Sequence, residues 1–210
     1  MNNFKNFIFD LDGTLIDSTP SHVKAFNYAI SKSSQKCAVD FNYEKMKGKR
    51  TIDVMNELGF SGDEAKKLTK IKQDSYREYL MNGEVNLFES VRECFELITA
   101  KNFEVYICTG ASRHSVDIIL KKFDLDKYIT DYITGSDVEV AKPDPAILNK
   151  LIADNKLQKE LSLFVEDSEN GKDCGVRAGV KTIIVNNPDL SSEGDFETFN
   201  EFYLTLKDSI

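Results

Sequence analysis

Residues 7–18 read FIFDLDGTLIDS. Phe7, Ile8 and Phe9 form a continuous apolar run, as a strand buried on both faces requires. The run ends on Asp10 and Asp12 and turns at Gly13. A buried strand that delivers paired negative charge to its end has a use for that charge, and the other strand ends show what it is.

Further short runs rich in β-branched and aromatic residues recur along the chain: FEVYICT at 103–109, a weaker YIT at 132–134, LSLFVED at 161–167 and VKTIIV at 180–185. Between them lie helical patterns, RHSVDIILKKF at 113–123, PAILNKLIADN at 145–155 and ENGKDCGVRAG at 169–179. Strands alternating with helices predict an α/β fold, a Rossmann-like doubly wound parallel sheet with helices on both faces. The gap between the first two strands is the exception. Residues 15–83 show no strand pattern, only the helical stretches PSHVKAFNYAISK, TIDVMNELG and DEAKKLTKIKQDSYREYLM. A crossover needs about a dozen residues, so the excess predicts a helical insertion standing over the carboxyl edge of the sheet. The expected organisation is a core of residues 1–15 plus 84–210 and a helical cap of residues 16–83, with linkers near 15–18 and 82–88 as hinges. Towards the end, PDLSSEGD at 188–195 reads as a loop, and Phe196, Phe199, Phe202, Tyr203 and Leu206 fall on one helical stripe that predicts core packing.

Composition narrows the function. Of 210 residues, 41% are hydrophobic and 30% charged, which is the balance of a globular protein with a real core. The formal charge of −8, with no Lys/Arg block, argues against nucleic acid and anionic membranes as partners. The four cysteines lack metal-ligand spacing and the two histidines are too few for a His-rich site, so reduced thiols and a cytoplasmic location are expected. No run of eighteen apolar residues occurs, and no obligatory protein partner is inferred.

In open parallel sheets, ligands bind beyond the carboxyl ends of the strands. Those ends carry Asp10 and Asp12, then Thr109 and Gly110, then Glu166 and Asp167, while Lys142 precedes the helix leading to the fourth run. Two carboxylates about 4 Å apart repel by roughly 4 kcal/mol at an effective dielectric of about 20. A hard divalent cation relieves that repulsion, and Mg²⁺ suits one or two carboxylates plus a phosphate. At such a site one carboxylate can attack phosphorus while a second protonates the leaving oxygen and later deprotonates water. Lys142, the Thr109 hydroxyl and the Gly110 amide would hold the phosphate oxygens. Taken singly, each signal has a plainer reading: Asp-x-Asp as a turn, Thr109-Gly110 as a strand end, Lys142-Pro143 as a helix start, Asp167 or Ser168 as a cap. Their conjunction in this order, each at or beside a predicted strand end, favours chemistry.

With these residues in place, the sequence resembles the haloacid dehalogenase superfamily. FIFDLDGT is similar to its first motif, YICTG to its second, AKPDP to its third and FVEDSENGKDCGVRAGV to its fourth. The resemblance implies Asp10 as nucleophile, Asp12 as general acid/base, and Thr109, Gly110 and Lys142 as phosphate-binding residues. It also implies Mg²⁺ held by the Asp10 carboxylate, the Asp12 backbone carbonyl and the Asp167 carboxylate, with Glu166 close by. Dehalogenation is not expected, because the members that perform it lack an aspartate equivalent to Asp12.

Within the superfamily the chain is similar to the β-phosphoglucomutase and phosphoglycolate-phosphatase-like group. His22 falls where the mutases carry a cap histidine, and KMKGKRTIDVMNEL resembles their cap segment, which makes Gly48, Lys49 and Arg50 candidate substrate contacts. Alternatively, His22 faces solvent and Lys49-Arg50 are surface charge. Thr14 departs from the valine common in mutases and favours hydrolysis. The expectation is a Mg²⁺-dependent phosphatase acting on a small phosphorylated metabolite, a sugar phosphate among the candidates. The alternatives are a β-phosphoglucomutase-like mutase, a non-catalytic binding protein and a phosphorylatable signalling domain. A Schiff-base enzyme using Lys24 or Lys49 is the most distant reading, since neither lysine sits in an apolar stretch.

Overall fold

The computed structural model describes Met1 and residues 3–210. From the amino terminus, β1 (Asn6–Phe9) is followed by β2 (Ile16–Asp17), α1 (Thr19–Ile30), α2 (Thr51–Glu57), α3 (Gly62–Met81) and β3 (Asn86–Leu87). The chain then alternates through α4 (Val91–Ala100), β4 (Glu104–Cys108), α5 (Arg113–Lys122), β5 (Asp131–Ile133), α6 (Ala146–Asp154), β6 (Ser162–Glu166), α7 (Glu169–Ala178), β7 (Lys181–Ile184) and α8 (Phe199–Ser209). Five strands form one parallel sheet in the order β5-β4-β1-β6-β7. β1 is central because it is apolar on both faces. Phe7 and Phe9 pack with Phe95 and Ile98 of α4, Val116 and Ile119 of α5 and Phe199 and Phe202 of α8, whereas Ile8 packs with Ile147 and Leu151 of α6 and Cys174 of α7. The order reverses between β1 and β6, so a crevice opens beyond Asp10 and Glu166.

The insertion has a hydrophobic cluster of its own, built from Phe26 and Ala29 of α1, Val54 and Met55 of α2 and Ala65 and Leu68 of α3. α3 is twenty residues long. Its first half feeds that cluster, and Tyr76 and Leu80 in its second half join the cluster on one face of the sheet. One helix therefore couples the insertion to the sheet.

Two findings revise the sequence reading. Residues 15–83 are not free of strand, since Ile16–Asp17 pairs antiparallel with Asn86–Leu87 where only linkers were expected. A two-residue ribbon is too short to leave a periodic pattern; it forms because the chain enters and leaves the insertion side by side. The final helix begins at Phe199, capped by the Thr198 hydroxyl, which accepts from the Glu201 amide. Phe196 precedes it and still packs on Phe202 at 5.8 Å between ring centres. α4 was not singled out above, although its buried Val91, Cys94, Phe95 and Ile98 follow a helical period.

Candidate active site

Each strand end presents its polar residues for a local reason. β1 leaves the sheet at Asp10, whose amide still donates to the Val165 carbonyl at 2.9 Å, so the carboxylate is held at the crevice. The chain then reverses at Gly13, where φ is +91° and a Cβ would lie 2.1 Å from the Asp167 carboxylate. Only glycine meets both demands. After β6, Ser168 caps α7 by accepting from the Gly171 amide at 3.0 Å.

Asp10, Glu166 and Asp167 come together, with one carboxylate oxygen of each lying within 4.8 Å of the others. Lys142 reaches into this cluster and is 2% exposed. Its ammonium donates to Asp10 Oδ1 at 2.7 Å, Glu166 Oε1 at 2.6 Å and the Cys108 carbonyl at 2.9 Å. An ammonium has three N–H donors, and all three are used. Lys142 therefore orients Asp10 and supplies positive charge, and direct contact with a phosphate would require it to exchange one of these acceptors. Glu166 Oε2 accepts from the Asp167 and Ser168 amides and the Ser168 hydroxyl, each at 2.9 Å, so both its oxygens are satisfied.

Asp167 is different. Its Oδ2 is buried and accepts no well-formed hydrogen bond. The nearest cation is the Lys47 ammonium at 3.2 Å, which also approaches Glu44 at 3.1 Å. Burial and then the charge of Glu166 push the Asp167 carboxyl up to about 7, against Lys47 and Lys142. Burial likewise drives Asp10 well up, opposed by Lys142. A buried oxygen whose only close cation is an ammonium at 3.2 Å, in a cluster of three carboxylates, fits a hard divalent cation with oxygen ligands. The donor set suits Mg²⁺, with Asp10 and Asp167 as carboxylate ligands and Glu166 already occupied.

Asp12 does not join that cluster. Its carboxylate turns towards the insertion, where Oδ1 accepts from His22 Nε2 and from the Tyr76 hydroxyl, both at 2.9 Å. The other ring nitrogen of His22 meets the Lys72 ammonium at 2.6 Å. This geometry selects the neutral imidazole with its proton on Nε2, since Lys72 needs the Nδ1 lone pair. Burial and the charge of Lys72 lower the His22 pKa in agreement, with Asp12 opposing. Burial would raise the Asp12 carboxyl, but the hydrogen bond from His22 and the positive charge of Lys72 outweigh burial and hold it well below the usual range. His22 is buried, so the solvent-facing alternative is ruled out. It is stacked 4.0 Å from Tyr76 and 5.6 Å from Tyr43.

The remaining expected residues separate. Asp10, Asp12, His22, Gly48, Lys49, Thr109 and Gly110 line one cavity of about 50 Å³. The buried Thr109 hydroxyl accepts from the Ala111 amide at 3.1 Å. Lys49 is tied to Glu57 at 2.6 Å. Arg50 binds Asp53 through two nitrogens at 2.7 and 2.8 Å and donates to the Val138 carbonyl at 2.8 Å, which fastens the insertion to the sheet region. Arg50 lines an adjoining groove rather than the cavity containing Asp10. Lys24 pairs with exposed Glu84 at 2.9 Å and does not line the cavity, which removes it as a Schiff-base candidate.

Gly110 has a steric role that the motif alone does not reveal. A Cβ there would lie 2.5 Å from the Gly48 carbonyl oxygen and 3.3 Å from the Lys49 backbone. The 48–49 backbone cannot yield as a side chain would, so Gly110→Ala should cost about 1–3 kcal/mol against this closed packing. The expected result is faster hydrogen exchange across residues 44–50, by about 5- to 100-fold. Unchanged protection there would show that the loop does not depend on Gly110.

A sequence profile described as haloacid dehalogenase-like hydrolase matches residues 7–185, which spans every strand of the sheet and the whole insertion. The chain belongs to this family. Relatives of this hydrolase include a pyrophosphatase, PpaX, of Oceanobacillus iheyensis, 27% identical over 87% of this chain and 84% of that protein. A phosphoglycolate phosphatase of Haemophilus influenzae is 26% identical over 86% and 84% respectively. Among solved structures, a chain from Haemophilus somnus described as a predicted phosphoglycolate phosphatase superposes with a TM-score of 0.81 at 23% identity, covering 99% of each chain. A Bacteroides vulgatus chain assigned to the beta-phosphoglucomutases gives 0.82 at 18% identity, covering 98% of this chain and 88% of that one. These superpositions establish the Rossmann-like fold of the hydrolase.

Four residues of the hydrolase site were not foreseen: Tyr43, Lys47, Lys72 and Tyr76. Lys72 and Tyr76 had a readable signal, because Leu68, Lys72, Tyr76 and Leu80 form an i, i+4 series whose other members are apolar or aromatic. A lysine in that series is either misplaced or functional. Lys47 carried no comparable sign beyond its place in the cap segment.

Proposed function

We propose that this hydrolase is a Mg²⁺-dependent phosphatase that acts on a small phosphorylated metabolite through an aspartyl-phosphate at Asp10. One observation carries the reading. Two carboxylates two residues apart face different environments: Asp10 lies with Lys142 in the buried acidic cluster, and Asp12 lies with His22 and Tyr76 of the insertion.

That division matches a two-step displacement. An Asp10 oxygen attacks phosphorus, the bond from phosphorus to the leaving oxygen breaks, and Asp12, which takes up a proton from solvent as substrate displaces its partners, donates that proton to the leaving oxygen. Asp12 then takes a proton from water as the water oxygen attacks phosphorus, and the bond to Asp10 breaks. The contacts from His22 and Tyr76 hold Asp12 anionic at rest, which suits the second half of this cycle; entry of substrate would have to displace at least one of them. Lys142 holds Asp10 in line, while Thr109 and Gly110 face the phosphate from the next strand. Mg²⁺ held by Asp10 and Asp167, with the Asp12 carbonyl, would supply charge to offset the repulsion between carboxylate and phosphate. In this reading residues 16–83 are a cap over a core of residues 1–15 and 84–210, and the ribbon of β2 and β3 carries the hinge.

Phosphorus NMR of the protein with a panel of small phosphate esters tests this directly. Inorganic phosphate should accumulate with Mg²⁺ and stop with chelator. A phosphorus signal that moves instead to another ester would make the enzyme a mutase, and absence of any change would remove the catalytic reading. Mg²⁺ should also stabilise the fold by about 2.7 kcal/mol at a hundredfold excess over Kd. In a chain of this size that is a rise of about 5–10 °C in Tm. A Tm indifferent to Mg²⁺ would contradict the assigned ligand set.

A further inference from the structure

Lys72 takes no part in the steps above, yet it is one of the most costly side chains in the molecule. It is 4% exposed, and its ammonium lies 4.6 Å from the centre of the Phe26 ring and 4.9 Å from that of Tyr76. Buried ammonium groups are normally paired with an anion. The other cations around the cavity obey that rule: Lys142 has Asp10 and Glu166, Lys47 has Glu44 and Asp167, Lys49 has Glu57, and Arg50 has Asp53. Among the described residues Lys72 pairs with no carboxylate, and its hydrogen bond goes to His22 Nδ1. Of its three donors two remain to be placed.

Those donors have a place to go, because Lys72 lines the same cavity as Asp10, Asp12 and Thr109. The path through His22 sets the ammonium within about 8 Å of the Asp12 carboxylate, the group that serves the leaving oxygen. Burial pulls its pKa down to about 7, with Arg77 adding to the effect and Asp12 opposing it. That is how an ammonium without a close counter-ion responds, and an anion entering the cavity would reverse it.

We infer that Lys72 is a specificity-determining residue that binds a second anionic group, carboxylate or phosphate, on the leaving part of the substrate. This rests on the phosphatase reading and narrows it: the preferred substrates are short molecules with a phosphate at one end and negative charge at the other. Lys72, Asp10, Thr109 and Gly110 line one cavity, so both charges must sit within it, which favours a short spacer between them. Neutral hydroxyls can bond to the same ammonium, but they leave its charge uncompensated.

The test uses two pairs of substrates: phosphoglycolate against ethylene glycol monophosphate, which share an alkoxide leaving group, and pyrophosphate against acetyl phosphate, which share an anhydride linkage. In the native protein kcat/KM should favour the charged member of at least one pair by about 30-fold. The pair that shows the preference identifies carboxylate or phosphate as the recognised group. In Lys72→Met the ratio within that pair should fall to about threefold or less, carried mainly by KM, and Lys72→Arg should recover part of it. A lysine that merely supports His22 and Asp12 would lower both members alike and leave the ratio intact. That result, or a native enzyme with no preference in either pair, overturns the inference while leaving the phosphatase reading standing.

If the native protein turns over none of the four, the anion site is judged by binding alone. Methylenediphosphonate should then raise Tm more than methylphosphonate in the native protein but not in Lys72→Met. Equal responses in the native protein would overturn the anion site as well.

Discussion

Asp10→Asn abolishes turnover for every leaving group, with a loss on the order of 10⁴-fold or more, because Asp10 is the proposed nucleophile and the Asp12 carboxylate is engaged by His22 and Tyr76. Asparagine keeps the shape of the side chain and can still accept from Lys142, so the variant should fold. The substitution removes a negative charge from beside Glu166 and Asp167, and it deprives Lys142 of one of two counter-charges. These effects oppose each other, and unfolding stability should stay within about 1 kcal/mol of the native value. Asp12→Asn provides the contrast. Its loss should be large for alkyl phosphates, whose leaving oxygen needs a proton, and much smaller for the phosphorylation step with 4-nitrophenyl phosphate, whose leaving group does not. Burst kinetics with the two classes of ester read both variants. Equal sensitivity of the two variants to the leaving group would refute the division of labour between the aspartates.

Lys142→Met lowers stability by about 3–5 kcal/mol, since it strands Asp10 and Glu166 in the interior beside Asp167 without the cation they share. Native domains have about 5–15 kcal/mol in all, so the variant should unfold at a Tm lower by about 10–15 °C. The three carboxylates would partly protonate to escape the penalty, and their repulsion would be relieved by a dication. Mg²⁺ should therefore narrow the Tm gap between variant and native protein, whereas Na⁺ at the same ionic strength should not. Thermal unfolding with and without Mg²⁺ measures this. If Lys142→Met proves as stable as the native protein, the cluster does not depend on that ammonium and the orienting role given to Lys142 is wrong.

Much of the fold was legible from local pattern. The apolar runs at Phe7–Phe9, Val105–Cys108, Leu163–Val165 and Ile183–Ile184 lie in buried strands of the parallel sheet, because only residues apolar on both faces can sit between two helical layers. The polar residues at their ends were legible for the same reason: a charge that terminates an apolar run must lie at the sheet edge. Asp10, Thr109 and Asp167 are found there. The helical insertion followed from the length of the gap after the first strand, while the β2 and β3 ribbon did not, since two residues on each side carry no period.

The contacts that give the site its character were decided by tertiary structure. Asp12 turning away from Asp10 towards His22 and Tyr76, Lys47 standing over Asp167, and Lys72 reaching His22 all join residues that are 10 to 120 positions apart in the chain. Periodicity reports which face of an element is buried; it does not report what another element brings to that face. The sequence alone determined that carboxylates would gather at the carboxyl edge of a parallel sheet. Which cations would meet them depended on how α1, α3 and the segment before α2 come to rest over that edge, and this is settled by packing between distant surfaces.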